Sequence, residues 1–271
     1  MSDVTQPSAE GLSFELGEDH VGVITLSRPE KKNALTFDIY ADLTRLFREL
    51  EGDRRVKTVV IRGSGGAFCS GGDVHEIIGP LFERDAAGLW EFTRMTCDLI
   101  ENMRRLSKPI IACIDGVAAG AGSVIALASD IRIGSESARF AFLFVKVGLC
   151  GADMGAAFLL PRVIGLGRAT ELLMTGDMVR SEDAHRLGLL NHVYPADTVE
   201  AEAHALAARL AKGPTFALAM TKRSLNEEMS MDLRQALESE ARTQAFCMET
   251  EDFRIAYEAF AARKQPEFVG R

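Results

Sequence analysis

In "CGADMGAAFLLPR" (150–162) a single acid, Asp153, stands among small residues just ahead of an apolar run. An aspartate there can start a helix, because its carboxylate accepts an otherwise unpaired backbone N–H. The same carboxylate facing a pocket can take a proton from carbon and give it back. Such a proton leaves at neutral pH only when the oxyanion forming beside it is stabilised. Two glycine-rich loops offer that service: "GSGGAFCSGGD" (63–73) and "DGVAAGAGS" (115–123). Small residues at a helix start leave backbone N–H groups unobstructed, and the helix dipole favours negative charge there. Two N–H groups aimed at one point form an oxyanion hole, in which each donor lowers the barrier by about 3–4 kcal/mol. The same glycines would equally serve tight turns and close helix–sheet packing. Neither loop is a G-x-x-x-x-G-K-[ST] phosphate cradle, and G-x-G-x-x-G is absent from both strand-to-helix turns.

Other residues with chemical potential are more scattered. "RPEKK" carries Arg28, Lys31 and Lys32 on a loop, and His75 and Glu76 follow the first glycine loop. Lys146 lies in the segment of Phe144, where it could orient a water or a substrate group. Phe140, Phe142 and Phe144 alternate, which predicts one face of a short strand, serving as core or as the lining of an apolar or aromatic pocket. The five histidines show no metal-binding spacing, so no metal is implied. Ser70 and Ser123 have no evident histidine partner, and Cys69 and Cys150 are weak candidates for a nucleophile.

The elements that must hold these residues can be read from periodicity. Strands are expected over 12–16 and 21–27, then an amphipathic helix in "FDIYADLTRLFRELE", with apolar Ile39, Leu43, Leu46, Phe47 and Leu50 on one face. "KTVVIRG", "PIIACID" and "DIRIGS" read as buried strands, with a long helix over 86–106 between the first two. The recurring unit is strand, glycine-rich loop, helix. After about Val193 four consecutive helical patterns rich in Ala, Leu and Glu follow. The expected division is a frayed tail over 1–11, an α/β core with the site over 12–194, and a helical region over 195–271.

A chain of 271 residues with 47% hydrophobic and 26% charged residues can bury a sizeable core. The apolar stretch 109–129 is interrupted by Asp115 and glycines, so no spanning helix is expected. The polar start "MSDVTQPSAEG" does not read as a signal peptide. A net charge of −8 argues against nucleic-acid and anionic-membrane partners, and five irregularly spaced cysteines suit a reducing cytoplasm.

The sequence resembles the enoyl-CoA hydratase/isomerase (crotonase) family through "RPEKKNAL", "AFCSGGD", "KPIIACIDGVAAGAG", "SDIRIGSESARFAF", "LLPRVIGLGRATELLMTG" and "AYEAFAARKQPEF". The resemblance implies an α/β fold, a crotonase-like spiral of strand–strand–helix repeats, with a C-terminal helical trimerisation region and assembly as a homotrimer or dimer of trimers. It implies an acyl-CoA substrate and no separate cofactor, coenzyme A being part of the substrate. It places the oxyanion-hole N–H groups at Gly72 and Ala121, and coenzyme A contacts at Arg28, Lys31, Ala34, Ser70 and Asp73. Lys264 would reach over from a neighbouring subunit. Val124, Phe144 and His75 would border the acyl group. Family hydratases carry two glutamates at what are here Val124 and Phe144, neither of which can hold a proton. Asp153, in a D-x-G-x-x-x-x-L-P context, corresponds to the aspartate that shuttles protons in isomerase branches. Double-bond isomerisation is therefore the favoured expectation. The alternatives are a hydratase with a different water-activating arrangement and a catalytically silent CoA-ester-binding protein.

Overall fold

The computed structural model describes residues 4–271. In chain order its elements are β1 (Leu12–Leu16), β2 (Val21–Leu26), α1 (Phe37–Leu50), β3 (Thr58–Gly63), the one-turn α2 (Gly79–Leu81) and α3 (Ala86–Arg105). Then come β4 (Ile110–Ile114), β5 (Val117–Ala119), α4 (Ala121–Ala128), β6 (Ile131–Ser135), β7 (Arg139–Ala141), α5 (Ala156–Ile164) and α6 (Leu166–Thr175). The remainder is β8 (Met178–Arg180), α7 (Ser181–Arg186), β9 (His192–Tyr194), α8 (Val199–Ala211), α9 (Thr215–Glu227), α10 (Leu233–Met248) and α11 (Glu251–Ala261).

Two sheets share these strands. The larger has the order β1-β2-β3-β4-β6-β9, and the smaller β5-β7-β8. From β4 onward the chain passes back and forth between the two sheets, and this alternation generates the spiral. Only the β1–β2 pair is antiparallel in the large sheet; β2–β3, β3–β4, β4–β6 and β6–β9 are parallel. Side-chain alternation divides each strand between two cores. Val59, Ile61, Ile110, Ala112 and Ile114 face the main core with α1 and α3, while Val60, Ile111, Cys113 and Ile133 face the other way.

That second face is covered by α8, whose Val199, Ala203, Ala207 and Ala211 recur every four residues. Alanines let the helix backbone come close, and the Thr58 hydroxyl donates to the Ala207 carbonyl at 3.1 Å. Within the helical region expected from 195 onward, α8 packs on the body. α9 is pinned to the body by Lys222, whose buried ammonium pairs with Asp130 at 2.7 Å and donates to the carbonyls of Lys108 and Met103. Beyond it, α10 and α11 leave Leu233, Leu237, Phe246, Tyr257 and Phe260 exposed.

Two expectations need correction. Residues 4–11 are not frayed, although 1–3 of that expected tail lie outside the described residues. The Asp42 carboxylate on α1 accepts the amides of Ser8 at 2.6 Å and Ala9 at 2.8 Å, and Glu49 accepts that of Thr5. The three alternating phenylalanines do not share a strand. β7 ends at Ala141, whose carbonyl accepts the Gly120 amide and the Ser123 hydroxyl, and Phe144 falls in a 3-10 turn over Leu143–Val147. All three rings are still buried.

Candidate active site

The two glycine loops lie against each other. The amides of Phe68 and Cys69 donate to Val117, and the Ala119 amide returns to Cys69 at 2.8 Å. Gly71 has φ +99°, and a β-carbon there would stand 3.1 Å from the Ala119 oxygen and 3.5 Å from the Ala121 nitrogen. Only glycine meets both demands at once. Leu35, just before α1, brackets the next residue: its amide donates to Gly71 at 2.8 Å and its carbonyl accepts from Asp73 at 2.9 Å. Gly72 between them is left with an unpaired N–H, and so is Ala121 in the first turn of α4; neither donates to any group among the described residues. Two free amide donors thus sit on abutting loops.

A third loop is locked to the first by Asn33, whose buried side chain donates to the carbonyls of Ser64 at 2.9 Å and Ala67 at 2.7 Å. Its oxygen accepts the Arg28 amide, and both Lys32 and Asn33 adopt positive φ, a conformation asparagine tolerates well. Arg28, expected near the phosphates, already has partners within the chain. Its guanidinium donates to the Ala34 carbonyl at 3.0 Å, pairs with Glu76 and lies 3.6 Å from Asp73. Asp73 in turn accepts the amides of His75 at 2.8 Å and Glu76 at 3.0 Å. Burial works against its charge, but those amides and the Lys31 and Arg28 charges outweigh it and hold the carboxyl below the usual range. Lys31 is exposed, and its carbonyl accepts the Ser70 hydroxyl at 3.1 Å.

Asp153 is half-buried, and it is not the helix cap that its context allows. α5 begins at Ala156 with Gly155 before it in a left-handed turn, and no side chain caps it. The Asp153 carboxylate accepts only the Met154 amide, at 2.9 Å, and Met154 itself has φ +50°. Burial pushes the carboxyl above its ordinary value of 3.8, and the Met154 amide only partly offsets that. Its charge helps to raise the ionisation of Tyr40 on α1 and of Cys97 on α3, after burial in both cases. Tyr40 stands on the buried face of α1, with its ring edge-on to Phe92 of α3.

The other candidates divide. Val124 and Phe144 are buried and apolar, whereas His75 is exposed, with only its amide tied down by Asp73. Lys146 pairs with Asp177 at 3.2 Å on the surface. Ser123 is committed to the Ala118 and Ala141 carbonyls, which rules it out as a free nucleophile. Burial pushes the Cys69 thiol up to about 12, so it stays protonated. Lys264 follows α11 and is exposed, held by its own amide to Ala259. No cluster of three or more His, Cys, Asp or Glu suited to a metal occurs among the described residues. A groove of about 530 Å³ elsewhere, between Lys108 and Phe216, contains none of the candidate site residues.

Comparison with known proteins covers the same ground. Residues 17–271 match the family model described as enoyl-CoA hydratase/isomerase. The 1,2-epoxyphenylacetyl-CoA isomerase of Escherichia coli is 34% identical over 94% of this chain and 97% of its own. The short-chain-enoyl-CoA hydratase of Clostridium acetobutylicum is 30% identical over 92% and 94%. A solved structure from Streptomyces coelicolor A3(2), described as a candidate enoyl-CoA hydratase, superposes with a TM-score of 0.96 at 48% identity, covering 100% of this chain and 98% of that one. With its spiral of alternating sheets and its match along nearly the whole sequence, the chain has the crotonase fold and belongs to the enoyl-CoA hydratase/isomerase family of enzymes.

Proposed function

We propose that this enzyme isomerises an enoyl-CoA by moving a double bond, with Asp153 as its only acid/base. The observation that carries the reading is a carboxylate left uncommitted by its helix, half-buried and raised in pKa, in a site whose two hydratase acid positions hold Val124 and Phe144. The unpaired N–H groups of Gly72 and Ala121 receive the thioester oxygen and stabilise the enolate as it forms. Asp153 removes a proton from one carbon and returns it to the carbon two positions away, a task one carboxylate completes alone. Hydration would need water activated and a proton delivered separately, which gives the hydratase reading less support here.

Coenzyme A lies, in this proposal, along the loop of Arg28, Lys31, Ala34, Ser70 and Asp73. Lys31 supplies the mobile cation, and Arg28 shapes the loop through Ala34 and Asp73. The exposed apolar faces of α10 and α11 are the contact surface of a homotrimer or a dimer of trimers, in which Lys264 approaches a neighbour's coenzyme. All five thiols are unpaired, in keeping with a cytoplasmic setting; no helix among the described residues is long and apolar enough to cross a membrane.

Incubation with an enoyl-CoA in deuterium oxide tests the reaction. Label appearing at the α or γ carbon without net addition of water is expected, and it should vanish in Asp153→Asn. Turnover unchanged in a folded Asp153→Asn protein would rule out the proton role.

A further inference from the structure

The groove between Lys108 and Phe216 lies at the opposite end of the large sheet from the two glycine loops. β2, β3, β4 and β6 run parallel, and both loops leave the C-terminal ends of β3 and β4. The groove is bordered instead by the segments that lead into those strands, 51–57 and 107–109. β3 has six residues, so roughly 17–20 Å of strand separates the two regions. The groove's volume of about 530 Å³ is that of a small-molecule pocket.

Its walls are held in place by specific contacts. The Lys108 ammonium donates to the Leu50 carbonyl at the end of α1 and to that of Asp53 at 2.5 Å. Glu51 accepts the Ser107 amide at 2.8 Å, which ties the two segments together. Residues 269–271 form a further wall: Asp252 of α11, 3% exposed, accepts the amides of Val269 at 2.7 Å and Gly270 at 2.9 Å. A β-carbon on Gly270 would stand 2.4 Å from the Thr215 hydroxyl oxygen, so this segment is pressed on the start of α9.

The lining is unbalanced in charge, although the protein as a whole carries −8. Arg54, Lys57, Lys108 and Arg271 border the groove with a single carboxylate side chain, Glu51, which the Ser107 amide already uses. The side chains of Arg54, exposed, and Lys57, half-buried, pair with nothing among the described residues. Two like charges on one groove repel, and a negative group between them relieves both. Burial brings the Lys108 ammonium down to about 8, although the Glu51 and Asp53 charges favour its protonated form. An anion nearby would favour that form further. Beside these cations, Val56, Pro109, Phe216 and Ala219 supply an apolar surface with one aromatic ring.

We infer that this groove binds a small aromatic anion, its phosphate or carboxylate held by Arg54 and Lys57 and its ring packed on Phe216 and Pro109. Neither a bare anion nor an uncharged ring uses both parts of the lining. The site is distinct from the proposed acyl-CoA pocket, and its occupancy does not depend on Asp153.

Calorimetry on the full chain tests it, with excess coenzyme A present throughout so that the candidate active site is occupied. Phenyl phosphate and benzoate are the probes, with inorganic phosphate and benzyl alcohol as controls. At least one ring-bearing anion should bind, and more tightly than either control; which of the two binds better separates a phosphate ligand from a carboxylate. Arg54→Ala combined with Lys57→Ala should weaken that binding about tenfold or more, the range for losing charge-assisted contacts. Phe216→Ala should weaken it as well, whereas Lys31→Ala should leave it unchanged. Lys57→Gln alone repeats the measurement if the double variant melts below the wild type. The inference is overturned if neither ring-bearing anion binds the wild type, or if affinity survives the loss of Arg54 and Lys57 or of Phe216. Loss of binding in Lys31→Ala overturns it too, because the anion would then sit on the coenzyme A loop.

Discussion

A β-carbon on Gly122 would stand 2.2 Å from the carbonyl oxygen of Cys69, so the first turn of α4 is pressed directly on the strand-like backbone of the other loop. That contact sets the spacing of the Gly72 and Ala121 amides. Gly122→Ala is expected to push the loops apart and to cut kcat by about 10²–10³-fold, the range for loss of one oxyanion donor. Ala121→Pro is a second test, because proline is tolerated at the first helical position and puts a ring methylene where the N–H donor stood. It should lower kcat comparably with little change in melting temperature, as steady-state kinetics and thermal melts would show.

The raised Asp153 carboxyl has a pH signature. A base must be ionised, so the acid limb of kcat/KM should fall at a pH above the ordinary aspartate value of 3.8. Stability follows the opposite course. The folded protein holds this proton more tightly than the unfolded chain, so its contribution to stability is lost as pH rises from 3.8 through the raised value. Asp153→Asn should therefore gain stability relative to the wild type across that window, measured by denaturation at a series of pH values.

Asn33 ties two loops with one side chain. Asn33→Ala leaves the Ser64 and Ala67 carbonyls without their donor, and each unsatisfied buried group costs about 1–3 kcal/mol. A loss of about 2 kcal/mol or more in urea unfolding is expected, together with a fall in kcat as the Gly72 loop loosens.

Lys31 and Arg28 should separate in kinetics. Lys31→Ala is expected to raise KM three- to tenfold at low salt with kcat nearly unchanged, the signature of uniform binding lost. Arg28→Ala should damage both parameters, because that guanidinium holds the Ala34 carbonyl and stands beside Asp73. Equal and selective KM effects from the two variants would contradict this division.

The exposed rings of Tyr257 and Phe260 give the assembly test. Tyr257→Glu combined with Phe260→Glu should shift the sedimentation coefficient from that of a trimer or hexamer to that of a monomer.

Much of this arrangement is legible in residue order. Apolar spacing marks α1, where Ile39, Leu43, Leu46, Phe47 and Leu50 are all buried, and short continuous apolar runs mark β3 and β4. Both glycine loops announce a close approach, although not to each other. What periodicity cannot carry is long-range pairing. β5 is three residues long and exists because it pairs in parallel with β7, while Val117 and Ala119 also bond to Phe68 and Cys69 far earlier in the chain. The phenylalanine run suggests a strand that the closure of Ala141 onto Gly120 and Ser123 cuts short. Arg28 reads as a free cation because nothing local reveals that Glu76 will pair with it across 48 residues.

The alanine face of α8 bears on how the chain can be divided. Cut after Tyr194, the body would turn Val21, Val60, Ile111 and Ile133 toward water, a contiguous apolar sheet face of the kind that drives aggregation. Neither half is expected to stay in solution by itself. Co-expressed as two polypeptides, 1–194 and 195–271 should find each other, with α8 re-forming on the sheet as the first event of their recombination.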